Sequence, residues 1–326
     1  MFRLSSFKTF TAVASMAVFL PFAALAHDWS EREGPAFHQV VVFGDSLSDP
    51  GNVFAVTGQY SVRPFAPIPS APYVIGGMHF TNGATWVERL SRELHTPSGA
   101  GPALRAPQIF TNYAFGGARA RAGGPSASPG LGSQVGMYFA NSGPVVDAGS
   151  LYVVWFGSND VRDALEALGA DQTGATTSLI MQGAIGAIRD NVVALWAAGA
   201  RTFLVPNVPD LAITPAVAAQ PAPIPGLAHQ FSAAYNAGLA QLLAGLEAQL
   251  PGVRIVRLDI FAMLNGIVAA PSAYGIANAT EPCLRFGVLV NAVCDEPRKY
   301  LFWDAVHPTA AVHKILAERA ESVLGF

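Results

Sequence analysis

A serine hydroxyl, an imidazole and a carboxylate can together transfer an acyl group, and two short segments of this chain carry all three. Phe43-Gly44-Asp45-Ser46-Leu47-Ser48-Asp49 follows an apolar run. A glycine there allows a tight turn that leaves the next serine exposed. A serine is a weak nucleophile until a base stands beside it. Trp303-Asp304-Ala305-Val306-His307-Pro308 supplies a base and a group to orient it. At a spacing of three, Asp304 and His307 lie on the same side of one turn. Asp304 then accepts from one ring nitrogen, and the other is left to take the Ser46 proton. Pro308 favours an extended backbone at His307. Taken singly, each segment has a plainer reading. Gly-Asp-Ser is common in turns, and Asp304 and Pro308 can simply cap the helix that follows.

Acyl transfer also needs donors for the negative charge that develops on the former carbonyl oxygen. Asn112-Tyr113-Ala114-Phe115-Gly116-Gly117-Ala118 sets two glycines after a short strand candidate, where bare N–H groups can approach a ligand. Gly157-Ser158-Asn159-Asp160 follows another strand and offers the Asn159 amide. Other titratable residues are assigned structural parts. Asp45 and Asp49 belong to the serine turn, Asp160 and Asp163 have no histidine near them in sequence, His79 is a loop residue, and His313 packs or faces solvent.

These groups need a frame. His38–Phe43, Leu151–Phe156, Thr202–Val205 and Val253–Leu258 read as buried strands, with Phe110–Phe115 a shorter candidate. Thr85–Leu94, Ser178–Ala198, Leu227–Leu250 and Ala310–Leu324 read as helices. Alternation of the two predicts a parallel sheet covered by helices on both faces. Ligands bind such sheets beyond the carboxyl ends of the strands, which is where the chemical segments fall. Three Gly- and Pro-rich stretches, Gly58–Gly77, Gly123–Gly132 and Thr214–Gly226, read as surface loops or a substrate rim.

Composition narrows the class. Of 326 residues, 51% are hydrophobic and 13% charged, which excludes a disordered chain. Residues 1–26 join a basic start (Arg3, Lys8) to an apolar run and Ala24-Leu25-Ala26, the pattern of a secretory signal peptide. The run is about a dozen residues, short of the roughly 20 that span a bilayer. Cleavage there removes two basic residues and no acidic one, moving the net charge from -3 to -5. A mildly acidic chain without basic clusters does not suit nucleic acid. The remaining 27–326 can form a single domain in a secreted or periplasmic protein. Cys283 and Cys294 read as one disulfide in an oxidising compartment, or as two unlinked thiols. Two cysteines without a nearby histidine are too few for a zinc site.

The four blocks together resemble the SGNH, or GDSL, serine hydrolases. Ser46, Gly117, Asn159 and His307 match the residues that name the four blocks, in order, and Asp304 matches the acid three places before the histidine. The resemblance covers roughly residues 38 to 324. It implies a flavodoxin-like α/β three-layer sandwich with a central parallel sheet. It implies Ser46 as nucleophile, His307 as base and Asp304 as orienting acid. The oxyanion hole would be Ser46 N–H, Gly117 N–H and the Asn159 side chain, with no metal and no organic cofactor. Phe80-Thr81-Asn82-Gly83, Val205-Pro206-Asn207-Val208-Pro209-Asp210, Tyr300-Leu301-Phe302-Trp303-Asp304 and the cysteine pair are similar to the secreted bacterial branch of lipases, lysophospholipases, acyltransferases and choline esterases. The expected partner is a small ester or lipid, with transient contact at membrane or micelle surfaces. Acyl transfer to a sterol, sugar deacetylation and a silent surface-binding protein are the alternatives. The motif Gly-x-Ser-x-Gly is absent, because Ser48 stands at its second glycine, which argues against an ordinary α/β-hydrolase.

Overall fold

Four strands, the first three buried and the last half-exposed, form a parallel sheet in the order β1 (Val40–Gly44), β2 (Leu151–Trp155), β3 (Thr202–Pro206), β4 (Arg254–Leu258). The computed structural model describes residues 37–125 and 127–326. The signal-peptide segment 1–26 lies outside the described residues. Helices follow the strands: α1 (Asn52–Thr57), α2 (Trp86–Glu93), α3 (Leu131–Ser142), α4 (Ser158–Ala167), α5 (Ala175–Ala198), α6 (Pro215–Ala218), α7 (Ile224–Gln249), α8 (Ile260–Ala269) and α9 (Ala310–Leu324). A two-stranded parallel pair, β5 (Asn278–Pro282) and β6 (Tyr300–Phe302), lies outside the main sheet.

Alternation along the strands divides the core between two faces. Val41, Phe43, Tyr152, Val154, Phe203 and Val205 pack with Tyr138 of α3, Ile188 and Val192 of α5, and Leu239 and Leu243 of α7. Val40, Val42, Leu151, Val153, Trp155 and Leu204 pack on the other side with Trp86 and Leu90 of α2, Ile260 and Leu264 of α8, and Val312 and Leu316 of α9. Both faces of the sheet are therefore covered, which is why β1 and β2 read as unbroken apolar runs. Each such side chain contributes roughly 1.5–3 kcal/mol on full burial. The arrangement is the α/β three-layer sandwich.

Phe110–Phe115 runs beside β1 on the side away from β2. Thr111 O accepts from Val42 N, Tyr113 N donates to Val42 O, and Phe115 N donates to Gly44 O. It is an irregular edge and not the regular strand expected. The ladder stops at Gly44, whose N–H goes to Gln134 Oε1 and not to the segment, while on the outer side the wholly buried Asn112 accepts from Ala114 N through its Oδ1. The chain thus leaves β1 to one side, returns, and continues on the other. That makes β1 the switch point of the sheet, where a crevice opens at the strand ends.

Element ends show the usual differences. Leu227–Leu250 begins three residues early, at Ile224, because Pro225 fits a first helical turn. Ser178–Ala198 likewise starts at Ala175. The Thr214–Gly226 stretch is not all loop, since it contains α6 and the start of α7. Thr85 caps α2 with a capping box to Glu88, as its Thr-x-x-Glu spacing allows. Cys283 and Cys294 are joined as a disulfide. No described helix is long and apolar enough to cross a membrane.

Candidate active site

Ser46 lies two residues beyond the end of β1, in a turn held from several directions. Asp45 Oδ1 accepts from Leu47 N, and Asp45 O accepts from Ser48 N. Gln134 of α3 grips the strand end itself: its Oε1 accepts from Gly44 N at 3.0 Å and its Nε2 donates to Gly44 O at 2.9 Å. Asp49 Oδ1 accepts from Gly51 N and Asn52 N, and its Oδ2 accepts from Gly116 N. Asp45 and Asp49 thus serve the turn, as expected from sequence. Burial pushes both carboxyls up to about 6, although these backbone N–H groups draw them down.

Ser46 Oγ stands 2.8 Å from His307 Nε2, and His307 Nδ1 stands 2.7 Å from Asp304 Oδ2. The two segments, 261 residues apart, therefore meet. Asp304 is wholly buried and fully engaged. Its Oδ1 accepts from Val306 N and His307 N, and Tyr73 Oη donates to its Oδ2 at 2.9 Å. Tyr73 escaped the sequence reading. It lies in the Gly58–Gly77 stretch, 231 residues from Asp304, and packs edge-on against Trp303 and Phe65. Burial, then the Asp304 charge, push its phenol far up, so it remains a donor.

The Phe80-Thr81-Asn82-Gly83 stretch holds the His307 loop in place. Phe80 packs 5.5 Å from the His307 ring, Thr81 Oγ1 donates to Pro308 O, and Asn82 Oδ1 accepts from Ala310 N. The Val205–Asp210 stretch is likewise structural. Asn207 Oδ1 caps α8 by accepting from Ile260 N and Phe261 N, and Asp210 caps the following turn while pairing with His229.

Two glycine-dependent turns bring the donor segments to Ser46. A side chain at Gly157, φ 128°, would collide with the Tyr235 ring at 2.5 Å, so only glycine turns the chain from β2 into α4 here. At Gly116 an added Cβ would lie 2.3 Å from the Phe80 ring. Sequence reasoning offered both Gly116 and Gly117 as donors, but Gly116 N is spent on Asp49 Oδ2. Among the described residues no acceptor meets Gly117 N–H or Ser46 N–H. Asn159 Nδ2 donates to Ala118 O at 3.0 Å and lies 3.5 Å from Asp45 Oδ2. Asp160 accepts from Ala120 N, and Asp163 pairs with Arg119 and Arg121. Neither is close to the histidine. Burial pushes Asp160 up to about 6.

Ser46, Gly117, Asn159 and His307 border one cleft of about 150 Å³, open to solvent, whose walls are mostly apolar. Leu47, Ile213, Ile260, Leu264, Phe302 and Leu316 extend it between the sheet edge and α8 and α9. Ile68 and Pro69 bring the Gly58–Gly77 stretch to its rim, and Thr214, Ala216 and Val217 bring the Thr214–Gly226 stretch. Gly123–Gly132 borders a different depression. Among the described residues no three His, Cys, Asp or Glu side chains gather around a point that could hold a metal ion.

This chain belongs to the GDSL-like lipase/acylhydrolase family, whose pattern matches residues 40–320. It is 26% identical over 309 residues to a thermolabile hemolysin of Vibrio parahaemolyticus, covering 86% of this chain and 62% of that protein. A GDSL esterase/lipase of Arabidopsis thaliana is 24% identical over 335 residues, covering 89% and 85%. Lipase 1 of Photorhabdus luminescens is 25% identical over 353 residues, covering 89% of this chain and 50% of the lipase. The chain therefore spans less than two thirds of the hemolysin and half of the Photorhabdus enzyme. Among solved structures it is similar to Axe2, an acetylxylan esterase from Geobacillus stearothermophilus, with TM-score 0.45 and 15% identity over 89% of this chain and 94% of that one.

Proposed function

We propose that this protein is an exported serine esterase that hydrolyses carboxylic esters of lipids, lysophospholipids among them, through an acyl-enzyme on Ser46. The observation that carries the reading is the continuous chain from Ser46 Oγ to His307 to the buried Asp304, opening on an apolar cleft. Ser46 Oγ attacks the ester carbonyl while His307 Nε2 takes its proton. Asp304 holds Nδ1–H and steadies the imidazolium. Ser46 N–H, Gly117 N–H and the second amide hydrogen of Asn159 receive the oxyanion, each contributing on the order of 3 kcal/mol in a dry pocket. His307 returns the proton to the leaving alcohol, and water repeats the cycle on the acyl-enzyme. Protein groups alone carry every step.

The apolar walls favour an acyl chain over a sugar. Val288, Leu289 and Val290 are exposed on the loop closed by Cys283–Cys294, and Gly287 N of that loop donates to Phe65 O of the cleft-side stretch. They support transient contact with a membrane or micelle surface. The signal segment 1–26 and a hydrolase domain over 27–326 complete the proposal. Ser46→Ala should abolish hydrolysis of short p-nitrophenyl esters while the far-UV circular dichroism stays unchanged. Unaltered turnover would end the reading. A panel of acetyl, butyryl and long-chain esters beside lysophospholipid and choline esters tests the substrate class, and dominant acetyl-sugar hydrolysis would overturn the lipid assignment.

A further inference from the structure

Gly116 and Gly117 give the oxyanion turn its close approach to substrate, and they also make it easy to deform. A peptide between two glycines can flip at little steric cost. Flipping the 116–117 peptide would replace the Gly117 N–H with the Gly116 carbonyl, presenting an acceptor where a donor is required. Something must hold the planes, and the structure shows what does. Three successive carbonyls of this turn are each held by a side chain. Gly116 O accepts from Ser128 Oγ at 2.7 Å, Gly117 O accepts from Arg119 Nη1 at 2.5 Å, and Ala118 O accepts from Asn159 Nδ2 at 3.0 Å.

The first of these bonds acts on the plane that carries Gly117 N–H, since that hydrogen and the Gly116 oxygen belong to one rigid peptide. The second acts on the next plane, and its donor is itself immobilised. Arg119 is 3% exposed and Asp163 is 6% exposed. Arg119 Nε donates to Asp163 Oδ2 at 3.0 Å, and Nη2 donates to Asp163 Oδ1 at 2.8 Å. This two-pronged geometry sets the guanidinium in one orientation. Asp163 lies four residues after Asn159 on α4, so both project from one helix face. The helix that carries the amide donor therefore also carries the carboxylate that aims the arginine at the backbone donor. Ala120 N adds a further tie to Asp160 Oδ2 at 2.9 Å.

We propose that Arg119 and Ser128 are positioning residues that keep the peptides around Gly117 in the donor orientation and couple that turn to Asn159 through Asp163. The inference rests on the oxyanion assignment above. It predicts that the two residues govern turnover without touching substrate.

The test uses the full chain with Ser128→Ala, Ser128→Thr, Arg119→Ala and Asn159→Ala. Ser128→Ala should lower kcat about tenfold with KM within twofold, because the loss is felt where charge develops. Ser128→Thr, which keeps the hydroxyl, should restore most of it. Arg119→Ala should lower kcat at least as much, and added methylguanidinium should recover part of the loss. Asp163 keeps Arg121 as a partner in that variant, so the carboxylate is not stranded. Should Arg119→Ala fail to fold, the two Ser128 variants decide. Equal kcat in Ser128→Ala and the parent, with Asn159→Ala impaired, overturns the positioning role alone. Unimpaired Asn159→Ala instead removes the oxyanion assignment on which it stands. A rise in KM with kcat unchanged in Ser128→Ala also overturns the proposal, because it would mean ground-state binding.

Discussion

Two buried histidines of this protein each contact a carboxylate, and their other ring nitrogens face opposite kinds of partner. His307 Nδ1 lies 2.7 Å from Asp304 Oδ2, and His79 Nε2 lies 2.9 Å from Glu88 Oε2. The difference is at the other ring nitrogen. His307 Nε2 faces the Ser46 hydroxyl, which can give up a proton. His79 Nδ1 faces the Gly76 carbonyl at 2.8 Å, which can only accept. His79 therefore has an acceptor on each side, the Gly76 carbonyl as a hydrogen bond and the Glu88 carboxylate as an ion-pair contact outside hydrogen-bond alignment, an arrangement that favours the imidazolium. Burial opposes that charge, but Glu88 and the Gly76 carbonyl outweigh it and raise its pKa. A third buried histidine, His313, receives Trp86 N on Nδ1, and burial pushes it down to about 3, so it stays neutral. A carboxylate neighbour alone does not make a base. What the second nitrogen faces decides whether a proton can move.

Removing the same charge from each pair should separate them most sharply. Asp304→Asn puts an amide against His307 Nδ1, which must then accept, so Nε2 carries the hydrogen and cannot take one from Ser46. A fall in kcat of roughly 10⁴ is expected, with thermal stability little changed. Glu88→Gln should do the reverse. Glutamine can still complete the capping box with Thr85, but the buried His79 cation loses its counter-charge. The expected loss is about 3–5 kcal/mol of stability in urea melts, with kcat kept. If Glu88→Gln lowers kcat as Asp304→Asn does, the two pairs are not functionally distinct.

Tyr73→Phe should have a smaller effect. It removes one of four donors to Asp304 and should lower kcat roughly three- to tenfold, in line with the roughly 0.5–1.5 kcal/mol of an ordinary hydrogen bond. Steady-state kinetics showing no change would make Tyr73 a packing residue only. The smallest expected effect is a pH dependence. The folded-state pKa of His79 is raised above its unfolded value near 6.5. Its contribution to stability is then complete below about pH 6.5 and disappears as pH climbs through the folded-state pKa. Melting temperatures from pH 6 to 9 should fall in the parent and fall less in Glu88→Gln. Parallel curves would contradict the imidazolium assignment.

Much of the site is readable from local spacing. Asp304 and His307 are three residues apart, and the bonds between them, Oδ1 to His307 N and Oδ2 to the ring, close within one turn. The strand before Ser46 reads from its β-branched run, and Thr85 and Glu88 announce a helix start. The residues that hold these pieces together are less visible. Tyr73 sits in a proline-rich stretch with no periodic signal. Gln134 looks like any polar residue of an amphipathic helix until it is found on both polar atoms of Gly44. The one available clue to Arg119 was a charged residue two places after a glycine pair and a strand candidate, paired with an unexplained Asp163.

The chain by itself determined which segments become strands and helices, where the turns fall, and which atoms within a turn can bond. Those outcomes depend on backbone torsion preferences and on contacts a few residues long. Tertiary structure alone decided that Ser46 Oγ would meet His307 Nε2, that Asp304 would take its fourth bond from Tyr73, and that Gly116 N–H would go to Asp49 and leave the neighbouring glycine to face the cleft. Such contacts require strands far apart in the chain to lie side by side. That happens only once both faces of the sheet have been covered and the strand order is closed.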